Sequence, residues 1–197
     1  MSGFVTGLVL GAGASRRLGQ PKQLLEYRAR PLLQAVVDTA SSASFDQVVV
    51  AIGGAVPEVR DAIDFGTADV VENVHFTRGC SSSIVAALGV VDERADGLVL
   101  LLGDQPGVTT DTIRLLVDGA GDVPLAVCRY ADGRGHPFWF GRAVFDDLGA
   151  LHGDKAVWKL LESGRHPVRE VDIEGDVPLD VDTWADYERL VATEAAE

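Results

Sequence analysis

The stretch Thr6–Leu25, TGLVLGAGASRRLGQPKQLL, combines an apolar run, a turn of small residues and a group of cations. The apolar run is typical of a buried strand, and Gly11-Ala12-Gly13-Ala14-Ser15 follows it directly. Glycine and other small residues let a ligand approach backbone N–H groups closely. Arg16, Arg17 and Lys22 come next, and such cations form charge-assisted hydrogen bonds with phosphate oxygens. The stretch therefore predicts a strand that opens into a cradle for a nucleoside triphosphate.

The spacing within this stretch argues against two other phosphate-binding loops. A P-loop would read G-x-x-x-x-G-K-[ST], but Leu18 stands five residues after Gly13, and Gln23 follows Lys22. The dinucleotide fingerprint requires a third glycine where this chain has Arg16. A Walker-type ATPase and a Rossmann dehydrogenase are both disfavoured, and a Gly/Ala-rich turn with solvated cations stays an alternative to the cradle.

The composition is that of one ordinary globular domain. The chain has 197 residues, of which 47% are hydrophobic and 24% charged. We therefore expect a single domain over residues 1–197. The start of the chain lacks the basic region of a signal peptide, and no apolar stretch approaches the ~20 residues of a membrane helix, so we expect a cytoplasmic protein with no membrane partner. The net charge of −13 argues against a nucleic-acid partner, and the two cysteines suggest no metal or disulfide role.

Strand-like and helix-like segments alternate along the first half of the chain. The predicted segments are a helix from Pro31, a strand over Gln47–Ile52, a helix over Pro57–Ile63, a strand over Asp69–Val71 and a buried central strand over Gly97–Leu102. A helix that connects two apolar strands implies that the strands pair in parallel. The second half predicts a helix from Thr109, a strand over Pro124–Arg129, a tight turn over Asp132–Pro137, an aromatic strand over Phe138–Phe140, a helix over Ala143–Ala150 and a last helix after Thr183.

Asp104 directly follows the most apolar run of the chain, within the string Gly103-Asp104-Gln105-Pro106. The carboxyl end of a central parallel strand is where open α/β sheets bind ligands. This position favours Asp104 as a metal ligand, and a turn aspartate before proline is the alternative.

Three further groups of residues have both a structural and a functional interpretation. Ser81-Ser82-Ser83 can cap a helix or present hydroxyls to a ligand. His136, between glycine and proline, is typical of a turn residue, and its functional interpretation, contact with a second substrate, is implied only by a family resemblance. Asp182 precedes a capping box formed by Thr183 and Asp186 and is typical of a helix-terminal carboxylate, and the same resemblance implies its alternative role as a metal ligand.

Four motifs in this order resemble those of the MobA-like nucleotidyltransferases: G-A-G-A-S-R-R-L-G-Q-P-K, the glycine and serines at 79–83, G-D-Q-P with G-H-P, and D-V-D-T. The alanine and serine in the first motif are most similar to the molybdenum cofactor cytidylyltransferase branch. The resemblance implies a three-layer α/β/α fold with a mostly parallel sheet and a Rossmann-like nucleotide-binding half, of the nucleotide-diphospho-sugar transferase type. It also implies Mg²⁺-dependent transfer of a nucleoside monophosphate from an NTP, CTP or GTP, to a phosphorylated acceptor with release of pyrophosphate.

The resemblance assigns a role to each candidate site residue. It implies catalytic roles for Arg17, Lys22 and Asp104, magnesium binding by Asp104 and Asp182, and acceptor binding by His136. The implied nucleotide-binding residues are Leu10, Gly11, Ala12, Gly13, Ala14, Ser15, Gly79, Ser81 and Ser82.

The chain departs from the family pattern after Asp154, where the family has a glycine and then an arginine and this chain has Ala156-Val157-Trp158. Lys155 and Lys159 are candidates to replace that arginine. The first hypothesis is a cytidylyltransferase that uses CTP and molybdopterin. One alternative is a guanylyltransferase that acts on molybdenum cofactor or on a phosphorylated small acid such as phospholactate. The other is a non-catalytic nucleotide-binding protein that delivers cofactor to a molybdoenzyme.

Overall fold

The computed structural model describes residues 3–153 and 155–194 of the chain. The strands are β1 (Phe4–Gly11), β2 (Glu26–Tyr27), β3 (Arg30–Pro31), β4 (Gln47–Ile52), β5 (Asp69–Glu72), β6 (Ala95–Leu102), β7 (Leu125–Tyr130), β8 (Gly133–Gly141) and β9 (Val168–Asp172). The α-helices are α1 (Leu32–Ser42), α2 (Val56–Ala62), α3 (Cys80–Leu88), α4 (Thr110–Ala120), α5 (Phe145–Gly149), α6 (Ala156–Glu162) and α7 (Trp184–Glu194). Short 3₁₀ helices span Lys22–Leu24, Phe76–Arg78 and Arg142–Val144.

Seven of these strands form one sheet in the order β5-β4-β1-β6-β8-β7-β9, and β2 and β3 form a small separate hairpin. Strand β8 runs antiparallel to both of its neighbours, and the other pairs are parallel. The order places β1 and β6 side by side in the middle, so the loops that leave their carboxyl ends lie next to each other. The predicted mostly parallel sheet is confirmed.

Side chains alternate between the two faces of the sheet, and each face carries its own hydrophobic core. Val9 and Val99 belong to the core under α1, α2 and α4, whereas Leu8, Leu98 and Phe138 belong to the core under α3, α5 and α6. The strands of a sheet covered on both faces are apolar at nearly every position, which explains the run GLVLLL in β6. The predicted three-layer fold is confirmed.

A third, smaller core joins the loop after β1 to the end of the chain. Leu18 and Leu25 from the loop pack with Leu32 of α1, with Val181 and with Leu190 of α7. The predicted capping box starts α7, because Thr183 N donates to Asp186 Oδ2 over 2.8 Å and Asp186 N donates to Thr183 Oγ1 over 3.3 Å. This packing holds the residues before α7 against the loop after β1.

The tight turn predicted over Asp132–Pro137 is wrong. The turn consists of Ala131 and Asp132, and β8 begins at Gly133 and continues through His136 and Pro137. The β7–β8 register shifts between Val127 and Cys128, so β8 has extra residues at this point. Such an irregularity admits a proline, which has no N–H to donate, within a strand.

None of the helices within residues 3–153 and 155–194 has the length and apolar character needed to cross a bilayer.

Candidate active site

The loop after β1 is braced from inside by Gln23. This side chain is 2% exposed, and its Nε2 donates to the carbonyl oxygens of Gly11 over 2.7 Å and Gly13 over 2.9 Å. A carbonyl oxygen repels a phosphate, and Gln23 occupies two of those that the loop carries. Gln23 therefore fixes the loop in a form compatible with an anion.

Ser15 fixes the far end of the same loop. Its backbone is in the left-handed region with φ 50°, and its carbonyl accepts hydrogen bonds from the N–H groups of Leu18 and Gly19. Its Oγ accepts from Lys22 N over 2.8 Å. The hydroxyl thereby holds Lys22 at the start of its 3₁₀ helix, facing the end of β6.

A cleft of about 280 Å³ lies between this loop and the turn after β4, and its lining includes Gly13, Ser15, Arg16, Gln23, Gly54 and Ala55. The two walls touch at the backbone, because a methyl group on Gly54 would lie 2.9 Å from the carbonyl oxygen of Gly13. Only glycine permits this approach. The predicted cradle residues Ala12, Gly13, Ala14 and Ser15 thus follow directly on Leu10 and Gly11 at the end of β1, with Gly13, Ala14 and Ser15 in the wall of the cleft.

Four predicted residues meet in one cluster of cations and carboxylates, here called the Lys22 cluster: Arg17, Lys22, Asp104 and Asp182. Lys22 Nζ donates to the carboxylate of Asp104 and, over 2.9 Å, to Asp182 Oδ1. Arg17 Nη2 donates to Asp182 Oδ2 over 2.6 Å. The side chains of Lys22 and Asp104 are 12% and 15% exposed, whereas that of Asp182 is 40% exposed. The cluster is therefore buried at Lys22 and Asp104 and open to solvent at Asp182, which forms its mouth.

Burial and charge act in opposite directions on the groups of the Lys22 cluster. Burial lowers the pKa of Lys22, but the carboxylates of Asp104 and Asp182 outweigh it and leave that pKa raised. Burial raises the pKa of Asp104, and the Lys22 ammonium opposes this shift only in part. Burial also acts to raise the pKa of Asp182, but hydrogen bonds from Lys22 and Arg17 outweigh it and leave that pKa lowered. Lys22 is thus a cation and Asp182 an anion at neutral pH.

The donor set of the Lys22 cluster fits magnesium. Asp104 and Asp182 supply carboxylate oxygens, and Mg²⁺ is commonly held by one or two carboxylates together with substrate phosphates. In the part of the chain that the structure describes, no group of three or more His, Cys, Asp and Glu side chains is arranged to hold a metal ion. The residues present therefore fit a cation that arrives with a triphosphate, and not a closed cage of protein ligands.

Backbone and side-chain bonds connect the two carboxylates across the chain. Val181 N donates to the carbonyl oxygen of Asp104 over 3.2 Å, and Gln105 Nε2 donates to the carbonyl oxygen of Pro178 over 3.0 Å. The segment before α7 is thus tied to the end of β6. Sequence reasoning missed Gln23 and Gln105. The sequence signal for both is their position, because Gln23 directly follows Lys22 and Gln105 directly follows Asp104.

The serine segment, residues 79–83, lies beside the cradle. A methyl group on Gly53 would lie 2.6 Å from Phe76 Cβ and 3.0 Å from Ala12 Cβ, so the 3₁₀ helix before the serines and the cradle meet at this glycine. Helix α3 begins at Cys80 with Gly79 as its N-cap, at φ 102°, so no serine occupies the N-cap position.

The hydroxyls of Ser82 and Ser83 have internal hydrogen-bond partners. Ser82 Oγ accepts from Asn73 Nδ2 over 2.8 Å and donates to the carbonyl oxygen of Gly79 over 2.8 Å, and Ser81 is 3% exposed. The predicted nucleotide contacts of Gly79, Ser81 and Ser82 stay predictions.

His136 lies in an aromatic group rather than in the Lys22 cluster. Its ring centroid is 4.0 Å from that of Phe138 and 6.5 Å from that of Trp158, and Phe138 and Trp158 meet edge to face at 5.0 Å. Burial lowers the pKa of His136 to about 3, so its ring is neutral at physiological pH. Trp158, part of the departure after Asp154, thus completes the surroundings of His136, whereas Asp154 itself lies outside the described residues.

The strand register gives the position of this group. Phe138 of β8 pairs with Leu100 of β6, and the strands are antiparallel, so His136 lies further toward the carboxyl end of β6, where Asp104 follows. Among the hydrogen bonds and ion pairs of the described residues, none joins His136 to the Lys22 cluster.

Known proteins with similar sequences or structures include two mycobacterial crystal structures. Rv0371c from Mycobacterium tuberculosis H37Rv is 53% identical, with 98% of this chain and 100% of that chain covered and a TM-score of 0.92. A structure of Rv0371c in complex with manganese is 50% identical over 96% of this chain and 99% of that chain, with a TM-score of 0.86. The bifunctional protein GlmU of Sorangium cellulosum (strain So ce56) is 30% identical over 161 residues, which cover 76% of this chain and 33% of that protein. The chain thus spans about a third of the length of this relative.

A family model, the MobA-like NTP transferase domain, matches residues 7–169. The matched range includes the cradle, Lys22, Asp104 and His136, whereas Asp182 lies beyond it. The match covers well over half of the chain and includes the first three of the four motifs. The chain belongs to the MobA-like NTP transferase family, within the nucleotidyltransferase superfamily.

Proposed function

We propose that this protein is a magnesium-dependent cytidylyltransferase that transfers CMP from CTP to a phosphorylated acceptor, molybdopterin, and releases pyrophosphate. The observation that carries the proposal is the Lys22 cluster at the mouth of the cradle. Two carboxylates and two cations meet there beside a loop braced for an anion. The manganese complex of Rv0371c supports a divalent cation in a similar protein.

The reaction is a phosphoryl-centred substitution that needs little proton transfer. An oxygen of the acceptor phosphate attacks the α-phosphorus, the bond from that phosphorus to the bridging β-oxygen breaks, and pyrophosphate leaves with the electron pair. A phosphate monoester is already anionic at neutral pH, so no general base is required. Positioning and charge neutralisation are the main contributions that a protein makes to such a step.

The residues of the site have distinct proposed roles in this step. Backbone groups of the cradle, from Leu10 to Ser15, hold the phosphates. Lys22 has three N–H donors and uses two of them on carboxylates, so the third can donate to a phosphate oxygen. Arg17, whose side chain is 65% exposed, adds a second cation at the mouth. Asp104 and Asp182 would hold magnesium, which would neutralise charge on the triphosphate oxygens.

The acceptor side is proposed to lie at the aromatic group of His136, Phe138 and Trp158. A neutral histidine and a partly exposed tryptophan offer aromatic surface, which supports an acceptor with a flat ring such as molybdopterin. Lys155, directly before α6, and Lys159, within α6, are both exposed and are proposed to contact its phosphate in place of the family's arginine. Transfer of the product to a molybdoenzyme in the cytoplasm belongs to the same proposal.

Pyrophosphate release tests the proposal. The protein is incubated with Mg²⁺, molybdopterin and each of CTP, GTP, ATP and UTP, with phospholactate as a second acceptor. We expect pyrophosphate release only in the incubation that contains both CTP and molybdopterin. Release with GTP would replace the proposal by a guanylyltransferase, for molybdenum cofactor or for phospholactate according to the acceptor used. Nucleotide binding without release under any condition would favour a non-catalytic carrier of cofactor.

A further inference from the structure

Gln105 is a buried polar residue whose amide is only half used. It is 4% exposed, and its Nε2 donates to the carbonyl oxygen of Pro178 over 3.0 Å. Its Oε1 is buried and has no hydrogen-bond partner. A buried acceptor without a donor destabilises a fold, and an apolar side chain of similar length would avoid that penalty. The unpaired Oε1 therefore lowers stability, and what the glutamine supplies at this position is the bond from Nε2 to Pro178.

The Nε2 atom of Gln105 forms its hydrogen bond with the segment that carries Asp182. Pro178 lies four residues before Asp182, in a stretch without regular secondary structure between β9 and α7. Besides Gln105, this stretch is held by Val177 N, which donates to Asp132 Oδ1 over 2.8 Å, and by Val181 N, which donates to the carbonyl oxygen of Asp104. Gln105 is the side chain from the end of β6 that meets the middle of the segment.

This bond connects the two carboxylates of the Lys22 cluster through rigid parts of the fold. Asp104 and Gln105 are adjacent at the end of the central strand β6, and Asp182 depends on the segment for its position. The side chain of Asp182 is 40% exposed and is held by ion pairs with Lys22 and Arg17. The bond from Gln105 to Pro178 adds a restraint on the backbone segment that carries Asp182.

We infer that Gln105 is a positioning residue that sets Asp182 at the distance from Asp104 at which both carboxylates bind one divalent cation. The inference rests on the proposed function, because it takes the two aspartates as the metal ligands. Residues that orient metal ligands typically contribute 10-fold to 100-fold in metal affinity.

The test measures how much a metal ion strengthens nucleotide binding. Calorimetry gives the Kd of the protein for a nucleoside triphosphate with Mn²⁺ and again in EDTA, with whichever of CTP, GTP, ATP and UTP the wild type binds most tightly. The ratio of the two Kd values is the metal enhancement. For Gln105→Met we expect about a ten-fold smaller enhancement, an unchanged Kd in EDTA, and a thermal midpoint within a few degrees of the wild type.

Two further variants separate positioning from a general loss of structure. Gln34→Met removes a glutamine that also tethers a loop, through bonds to the backbone of Asp64, and its hydrogen bonds go to Asp38 and Asp64 rather than to the Lys22 cluster, so it should leave the enhancement unchanged. In the Asp182→Asn background, Gln105→Met should have no further effect on the enhancement, because the carboxylate that it positions is gone. This cycle stays informative if the single variant also loses thermal stability.

An enhancement in Gln105→Met equal to that of the wild type would overturn the inference and leave the proposed function intact. So would additive effects of Gln105→Met and Asp182→Asn. If the wild type itself shows no metal enhancement, both the inference and the proposed metal site are wrong.

Discussion

At the scale of single residues, Lys22 is held at its backbone, along its stem and at its ammonium group. Its ammonium group meets two carboxylates, its backbone N–H is held by Ser15, and its stem packs beside Gly13. A methyl group on Gly13 would lie 3.2 Å from Lys22 Cε, so the lysine stem would have to shift by a few tenths of an ångström to admit it. The cradle and the Lys22 cluster are thus joined through one side chain.

Replacing Lys22 by methionine should therefore strongly reduce turnover while the protein still folds. Without the ammonium group, charge that develops on the phosphates is not neutralised, and we expect a rate loss of about 100-fold or more. Pyrophosphate release measures the loss, and circular dichroism checks the fold. Arg114→Met removes an exposed cation of α4 as a control and should have little effect. Unchanged turnover in Lys22→Met would remove Lys22 from the mechanism.

His136 should make the fold sensitive to acid. Its pKa is lowered by burial to about 3, against about 6.5 in an unfolded chain, so between these values the unfolded state takes up a proton that the folded state does not. Stability contributed by the neutral ring is therefore present above pH 6.5 and is lost as the pH falls. At pH 5 the loss is about 2 kcal/mol.

Urea denaturation at pH 7 and pH 5 tests this sensitivity. The difference in unfolding free energy between the two pH values should be smaller in His136→Gln than in the wild type. His75→Gln, at an exposed position, should leave that difference unchanged. Equal differences in wild type and His136→Gln would contradict the assignment.

The residues of the Lys22 cluster could be predicted because each is a charged group in a recognisable motif. Gln23 and Gln105 could not, because glutamine is mostly exposed in proteins, and only the packing reveals which carbonyl oxygens its amide reaches. Trp158 was recognised as a departure from the family pattern, but its contact with His136 depends on where α6 lies against the sheet.

At the scale of elements, the site depends on how closely two loops approach each other. The loop after β1 and the turn after β4 meet where Gly54 faces the carbonyl oxygen of Gly13. Backbone meets backbone there, and no flexible side chain can move aside.

We therefore expect Gly54→Ala to displace the cradle and weaken nucleotide binding by about ten-fold or more, since small misplacements in such sites have large effects. Calorimetric titration with nucleotide measures the change. Gly89→Ala is a suitable control, because its methyl group would lie 3.4 Å from the carbonyl oxygen of Ala86. Equal affinities in Gly54→Ala and the wild type would mean that the loops are not held this closely.

The central strands, β7 and the aromatic end of β8 could be predicted from their apolar runs, but β9 and the first half of β8 could not. Strand β9 is an edge strand with exposed charges at Arg169, Glu170 and Asp172, so its sequence lacks the buried pattern. Strand β8 contains glycines, an arginine and a proline, which are typical of a turn, and it forms because β6 and β7 pair with it from both sides.

At the scale of the whole molecule, the site is assembled from distant parts of the chain. The loop after β1, the end of β6 and the segment before α7 meet in one cluster, and the third core around Leu18, Val181 and Leu190 packs the two ends of the chain together. The folding of this site therefore requires nearly the whole chain.

This arrangement predicts that residues 1–197 unfold as one cooperative domain. Urea unfolding followed by far-UV circular dichroism and by tryptophan fluorescence should give coincident transitions, because Trp139 in the sheet and Trp184 on α7 then report the same event. An earlier fluorescence transition that disappears in Trp184→Phe would show that α7 separates from the sheet first and would contradict a single domain.

The central claim, a triphosphate cradle completed by a metal ion, is tested most directly by thermal stability with CTP, GTP, ATP and UTP, each with and without Mg²⁺. A ligand at about 100 times its Kd adds about 2.7 kcal/mol to the unfolding free energy. For a chain of this length that corresponds to a rise in Tm of roughly 5 to 10 °C. We expect such a rise with CTP that depends on Mg²⁺. A Tm that no nucleotide changes, with or without Mg²⁺, would contradict the cradle.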